Sequence, residues 1–364
     1  MPVKDVMVFI DPSHSQFYQD ELFKETSKWN RDGQFAPFIY LSKKLAEQGI
    51  ATHTADYLLD HKVSGQVNIY VSFGITTNYI KLSQDKNVIL QSFFIMEPPV
   101  VAPYLYGEIG NLAKSFAKVY LHNAEGVGYE RYFADQPNLR KFFWPQIEDG
   151  IIEKFWGNGS RNFLMMINSN KKPNLKANEL YTERIRALVA LKRLGSVDLY
   201  GHGWDIPFYK IRQTRYFPWI YWRHSKVLRS IYKGSVESKY EALSRYKFAL
   251  CFENMVMPGY LTEKIFDCLF VGTIPIYLGA PDIEQYIPKS CFIDMRDFGS
   301  YGDLHAYLRR MTDEDIFSFR ESAREYLSSQ QYRLFTKEKF AEQFEADLLE
   351  TLKQHGVLEN SKIS

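Results

Sequence analysis

A chain of 364 residues, 45% apolar and 24% charged, is long for one domain and carries enough apolar residues for two cores. Its formal net charge of +2 removes any whole-chain electrostatic reason to bind nucleic acid. No apolar run approaches the ~18 residues of a membrane span, and the opening MPVKDVMVFID reads as a first strand rather than a signal peptide. The three cysteines, Cys251, Cys268 and Cys291, sit in apolar surroundings without a C-x-x-C or Cys/His pair, so buried free thiols in a reducing compartment are expected. Together these features lead to the expectation of a cytoplasmic protein without a membrane anchor.

The first part of the chain alternates strands and helices. Val6–Ile10 reads as a strand, Pro37–Gln48 as an amphipathic helix, and Val67–Phe73 as a second strand before Gly74. Asn87–Ile95 gives a third strand, ending at Met96-Glu97-Pro98-Pro99. Ala113–Leu121 holds a short helix and strand, and Lys141–Pro145 a strand or linker. This alternation predicts a parallel, doubly wound sheet over residues 1–155.

A second set of elements begins near Arg161. Phe163–Ile167 is a strand running into the polar turn Asn168–Pro173, and a helix follows from Glu179 to Leu194 with Leu180, Ile185, Leu188 and Leu191 near helical spacing. Val197–Tyr200 is the next strand, ending in Gly201-His202-Gly203-Trp204. His202 and His224 lack visible partners for a metal. From Tyr301 the chain reads as helical, with Thr312 opening one helix and Phe340, Phe344, Leu348 and Leu352 lining one face of the last. The expected division is 156–335 for a second doubly wound domain and 336–364 for a C-terminal helix packing back toward the first.

The most informative stretch is Tyr246–Gly279, YKFALCFENMVMPGYLTEKIFDCLFVGTIPIYLG. Two apolar strands, Phe248–Phe252 and Thr273–Leu278, flank a loop with Pro258 and Gly259 and a helix opened by Thr262 as N-cap. The loop of such a βαβ unit empties at the carboxyl edge of a parallel sheet, where ligands bind. A helix N-terminus there suits a phosphate or diphosphate, and Lys264 adds a point charge. The segment FEN, five residues, YLTEKIFD, then VGTIPIYLGAPDIEQYIPKSCFIDMRDF resembles the donor-binding signature of the α1,3/4-fucosyltransferases, glycosyltransferase family ten. The likeness runs from about Tyr246 to Phe298 and is thinner upstream.

That resemblance implies a GT-B architecture, two Rossmann-like α/β domains facing across a cleft. It implies GDP-fucose as donor and donor-binding roles for Asn254, Tyr260, Glu263 and Lys264. It also implies a phosphate-binding arginine in the helix after the Asn168–Pro173 turn, where Arg184 is the first choice and Arg186 the second. The family is metal-independent, and Asp294 and Asp297 do not form an Asp-x-Asp, so no metal or other cofactor is expected. A general base must take the acceptor proton. Glu97, at a strand end before two prolines, resembles the family's Glu-x-Pro, and Glu125 and Glu130 are weaker alternatives.

Between Ile206 and Lys233 lie seven Lys or Arg, eight aromatics and no acid, Trp219 and Trp222 among the aromatics. The segment reads as a surface for an anionic, lipid-linked or lipopolysaccharide acceptor, with peripheral membrane contact at the inner face, rather than for nucleic acid. The expected protein is an inverting bacterial fucosyltransferase acting on O3 of N-acetylglucosamine or glucose in a surface glycan. The alternatives are a relative using another GDP-sugar and a non-catalytic glycan- or nucleotide-binding relative.

Overall fold

The computed structural model describes residues 5–126, 136–157, 159–195, 197–205 and 219–357. The chain divides into two compact units, one of Met1–Glu97, Tyr104–Ile147 and Arg333–Ser364, the other of Pro98–Pro103 and Glu148–Tyr332. The division therefore falls at 147/148 and 332/333, against 155/156 and 335/336 read from the sequence. Residues 206–218 of the basic, aromatic stretch and the alternative base Glu130 lie outside the described residues.

In the first unit the elements run β1 (Val6–Asp11), α1 (Ala36–Glu47), β2 (Ala51–Thr54), α2 (Asp56–Leu59), β3 (Val67–Ser72), α3 (Asn78–Leu82), β4 (Val88–Ile95), α4 (Pro103–Gly107), α5 (Ile109–Ser115), β5 (Lys118–Leu121) and β6 (Leu139–Lys141). The sheet order is β2-β1-β3-β4-β5-β6, with each neighbouring pair parallel. From Leu90 to Ile95 strand β4 is buried without alternation, as a sheet covered on both faces requires. The edge strand β2 has the sequence ATHT and is only partly buried, which is why no apolar pattern announced it.

The second unit runs β7 (Asn162–Ile167), α6 (Tyr181–Leu194), β8 (Asp198–Tyr200), α7 (Trp219–Ile231), α8 (Lys239–Ser244), β9 (Tyr246–Phe252), α9 (Glu263–Phe270), β10 (Ile274–Leu278), β11 (Ile293–Asp294), α10 (Tyr301–Arg310) and α11 (Asp313–Leu327). Its order is β11-β10-β9-β7-β8, again parallel throughout. In both sheets the order reverses between the first and third strands in sequence. That switch point opens a crevice at the carboxyl ends of the strands. Leu278 pairs with Phe252, so β9 and β10 end level and deliver Glu253 and Gly279 to the same edge. At Gly201 φ is +122°, and an added Cβ would lie 2.1 Å from the Asn168 carbonyl oxygen, so only glycine lets the exits of β7 and β8 approach this closely.

Last comes α12 (Lys337–Gln354), which belongs to the first unit. Phe340, Phe344, Leu348 and Leu352 share a core with Ile39 and Leu45 of α1 and Phe94 of β4. A buried ion pair pins the helix to β5: Lys118 Nζ lies 2.5 Å from Asp347 and 2.6 Å from Glu350, and Tyr120 donates to Asp347. All three cysteines are buried and free.

Candidate active site

The apolar run of β9 ends in Phe252, and the next residue, Glu253, is a carboxylate with no solvent exposure. Burying a charge is tolerated only with partners, and the following loop supplies them. Thr262 donates its N–H to Glu253 Oε1 at 2.9 Å, and its hydroxyl lies 3.0 and 2.9 Å from the two carboxylate oxygens. Lys264 Nζ completes the set at 3.1 Å from Glu253 Oε2. Thr262 is the N-cap of α9 by position, but its side chain makes no capping bond because the hydroxyl is turned to Glu253. Tyr277 and Glu253 together explain the glycine at the end of β10: a Cβ at Gly279 would lie 2.5 Å from the Tyr277 hydroxyl and 2.6 Å from Glu253 Cγ.

Lys264 makes two further contacts, to Thr262 Oγ1 at 2.8 Å and to Glu263 Oε1 at 3.5 Å. Its side chain is 17% exposed and that of Glu263 34%, so both reach solvent at the mouth of the site. Burial works against the charge of each. Even so, Lys264 and Lys239 hold the Glu263 carboxyl down to about 2, while Glu253 and Glu263 hold the Lys264 ammonium above the ordinary lysine range. Lys239 itself is tied to Asp267 at 2.5 Å.

Arg184, in the first turn of α6, is 3% exposed. It donates to the Phe252 carbonyl from Nε at 3.2 Å and Nη2 at 2.6 Å, and from Nη2 to the Glu253 carbonyl at 2.7 Å and Asn254 Oδ1 at 3.1 Å. Burial lowers its pKa from the ordinary arginine value, against an opposing pull from Tyr181 and Glu253. These bonds satisfy the carbonyls where β9 leaves the sheet, a structural duty that the sequence did not announce. Asn254 continues the network, donating from Nδ2 to the hydroxyl of the buried Tyr260 at 3.1 Å.

Five residues singled out by sequence, Arg184, Asn254, Tyr260, Glu263 and Lys264, thus meet at the carboxyl edge of the second sheet, beside its switch point. Arg186 does not join them; it is exposed on α6 and paired with Glu183 at 3.1 Å. Glu97 lies in the first unit, partly buried two residues beyond the end of β4, and its carbonyl accepts a hydrogen bond from Tyr106 at 3.2 Å. Glu125 is exposed in a turn after β5. Asp294 and Asp297 are held in ion pairs with Arg296 and Lys289, and among the described residues no group of three or more His, Cys, Asp or Glu could hold a metal ion. Sequence reasoning passed over Glu253, although it carries the signal that marked Glu97: an acid directly after an apolar strand.

Two parallel, doubly wound sheets with this site at a switch point place the chain in the GT-B class of glycosyltransferase folds. Its fold is similar to a crystal structure of α1,3-fucosyltransferase with GDP, with a TM-score of 0.51 at 16% identity over 99% of this chain and 92% of that one. At that identity the likeness speaks for the fold alone. The family is settled by sequence: residues 159–353, more than half of the chain, match the model of glycosyltransferase family 10 (fucosyltransferase), C-terminal part, and the chain belongs to that family. Among its relatives, an α-(1,4)-fucosyltransferase of Arabidopsis thaliana is 41% identical over 75 residues, 21% of this chain and 19% of the relative. The α-(1,3)-fucosyltransferase FucT of Helicobacter pylori is 46% identical over 76 residues, 21% of this chain and 16% of the relative. The aligned stretch therefore spans a fifth or less of the length of these curated relatives.

Proposed function

We propose that the protein is an inverting fucosyltransferase that moves L-fucose from GDP-fucose to a saccharide hydroxyl, O3 of an N-acetylglucosamine or glucose residue in a bacterial surface glycan such as lipopolysaccharide. The observation that carries this reading is the cluster at the end of β9, where Lys264 stands at the N-terminus of α9 with Glu263, Asn254, Tyr260 and Arg184 around it. Membership of the fucosyltransferase family supports it. So does the similar fold of an α1,3-fucosyltransferase crystallised with GDP.

The chemistry follows from charge. Glu97 takes the proton of the acceptor hydroxyl, whose oxygen attacks the anomeric carbon of β-linked fucose from the opposite face. The bond to the diphosphate breaks, and GDP leaves with the electron pair. Lys264, Arg184 and the helix N-terminus stabilise the negative charge gathering on the diphosphate. Lys264 uses all three of its donors within the chain, so a phosphate oxygen takes the place of the longest contact, that to Glu263 at 3.5 Å. The exchange frees the Glu263 carboxylate to accept from ribose hydroxyls. With cations in these positions no divalent metal is needed. The exposed cations Arg223, Lys226 and Arg229 of α7 hold the enzyme at an anionic membrane surface that presents the acceptor. Among the described residues no helix is long and apolar enough to cross a membrane.

The test is a transfer assay and a GDP-fucose titration on the same preparations, with and without EDTA. Glu97→Gln should lower turnover by roughly 10²–10⁴-fold and leave donor affinity nearly unchanged. Transfer at close to the original rate removes Glu97 as the base, and turnover abolished by EDTA and restored by Mn²⁺ removes the metal-free mechanism. A wild-type protein that binds another GDP-sugar better than GDP-fucose overturns the choice of donor.

A further inference from the structure

Two thiols meet beneath the loop that carries the Lys264 cluster. Along β9, Phe248, Leu250 and Phe252 face the core shared with α6, so Cys251 points to the opposite face of the sheet. There it meets Cys268, which stands one helical turn after Lys264 on α9. The two Sγ atoms are 3.2 Å apart, and the residues are 5% and 1% exposed. Cys251 donates its S–H to the Lys264 carbonyl at 3.4 Å. A thiol has one proton, so Cys268 is the donor between the sulfurs, and a chain of bonds runs from Cys268 through Cys251 to the Lys264 backbone.

The sulfurs of a disulfide lie ~2.05 Å apart, so this pair has to close by about 1.2 Å to bond. The two residues are 17 positions apart. The ring they would close contains Glu253, Asn254, Tyr260, Thr262, Glu263 and Lys264, every member of the cluster except Arg184. A bond between β9 and α9 therefore ties both ends of the segment that carries the cluster. Burial and the neighbouring Cys251 push the Cys268 thiol well above the ordinary cysteine range, so the reduced pair persists where oxidant is scarce. Cys291 provides a contrast within the same chain. It donates to the Ser322 carbonyl at 3.3 Å, and burial holds its thiol up at about 12.

We propose that Cys251 and Cys268 form an oxidative modification site, a dithiol that a peroxide converts into a disulfide clamping the loop of the cluster. One thiolate attacks a peroxide oxygen, the O–O bond breaks, and the sulfur becomes a sulfenic acid as water leaves. The second sulfur attacks the sulfenic sulfur, forms the S–S bond and expels hydroxide, which takes up a proton. Two thiols and one hydrogen peroxide give one disulfide and two waters, each sulfur losing one electron. Drawing the sulfurs together takes the Cys251 donor from the Lys264 carbonyl and shifts the first turn of α9, on which Glu263 and Lys264 stand. A thiol reductant reverses the change. The bond itself is independent of the proposed function, whereas its effect on a nucleotide rests on the reading of the cluster as a diphosphate site.

The full chain is treated with hydrogen peroxide, remaining thiols are blocked with iodoacetamide in denaturant, and peptides are mapped by mass spectrometry. The expected product links Cys251 to Cys268 and leaves Cys291 alkylated. In calorimetric titrations GDP should bind the oxidised chain roughly 10-fold or more weakly than the reduced one, the effect of an ångström-scale displacement at charged contacts. Dithiothreitol should restore the affinity. Cys268→Ala cannot form the bond, so peroxide should leave its affinity for GDP unchanged. A wild type without the Cys251–Cys268 peptide, or with Cys291 linked in place of either, overturns the site. A linked chain that binds GDP as tightly as before overturns the clamp and leaves the donor reading in place. A reduced chain that does not bind GDP overturns the donor reading, and amide exchange of residues 253–264 then decides the clamp: the bond should slow it, and equal exchange in both forms overturns the clamp. The wild-type peptide map decides the site even where the variant does not fold.

Discussion

Glu253 offers the sharpest test of how the site is held together. Its carboxylate is fully buried and lies 3.1 Å from Lys264, a separation worth about 5 kcal/mol of attraction at an effective dielectric constant of about 20. Desolvation offsets part of that, but the relevant quantity is the cost of removing one partner from a buried pair, about 3–5 kcal/mol. Glu253→Gln keeps an oxygen for the Thr262 N–H, yet it turns an NH₂ group toward the Lys264 ammonium or the Thr262 hydroxyl. Lys264 retains its contact to Glu263 at 3.5 Å and some solvent, which lowers the expected loss to about 2–4 kcal/mol. Spread over a unit of this size, that corresponds to a fall in melting temperature of roughly 4–16 °C. Thermal melts followed by far-UV dichroism, with and without GDP, measure it. The loop 253–262 should loosen at the same time, so the stabilisation by GDP should shrink. A Glu253→Gln protein that melts within a degree of the wild type and gains as much from GDP would refute the idea that this carboxylate organises the loop.

Three further outcomes are expected. Lys118→Met leaves Asp347 buried beside β5 without its cation, and should cost about 3–5 kcal/mol in chemical denaturation. Adding Asp347→Leu should recover most of that loss, and a double variant as unstable as the single one would contradict the pairing. The Glu263 carboxyl is depressed from 4.5 to about 2, so its contribution is fully present above pH 4.5 and is lost as pH falls toward 2. Glu263→Gln should therefore flatten the stability profile across that window, and an unchanged acid limb would show that the pairing with Lys264 is not a stabilising one. Neutralising Arg223, Lys226 and Arg229 together should weaken sedimentation with anionic liposomes and remove its salt dependence; equal binding before and after would leave α7 as a packing helix.

The fold class and the site were legible in this chain to very different depths. Where a local rule is strong, the pattern was enough. Thr312 with Asp315 forms the capping box that opens α11, and the apolar run Phe248–Phe252 of β9 and the mostly apolar run of β4, broken at Gln91 and Ser92, announced strands. Where an element is made by its neighbours, local pattern was silent. ATHT of β2 is a strand because β1 offers it a parallel edge, and the two-residue β11 exists only against β10. The basic, aromatic stretch gave no sign of its helix; α7 places Leu228 and Ile231 in the core and leaves Arg223, Lys226 and Arg229 outside.

The same division runs through the site. Spacing within one short segment sets Glu263 and Lys264 in the first turn of a helix, and it places Asn254 and Tyr260 in the loop before that turn. Those placements could be read without coordinates, because only local geometry is involved. The sequence could not show that Arg184, 70 positions before Asn254, would close over the end of β9. Nor could it show that Glu253 would lose all contact with water, or that Glu183 and Tyr301 would pair across 118 positions. Those pairings follow from the order of strands in the sheet and the register between them. Whether a carboxylate is a solvated surface group or a buried counter-ion depends on what covers it, and in this chain the cover comes from segments distant in sequence.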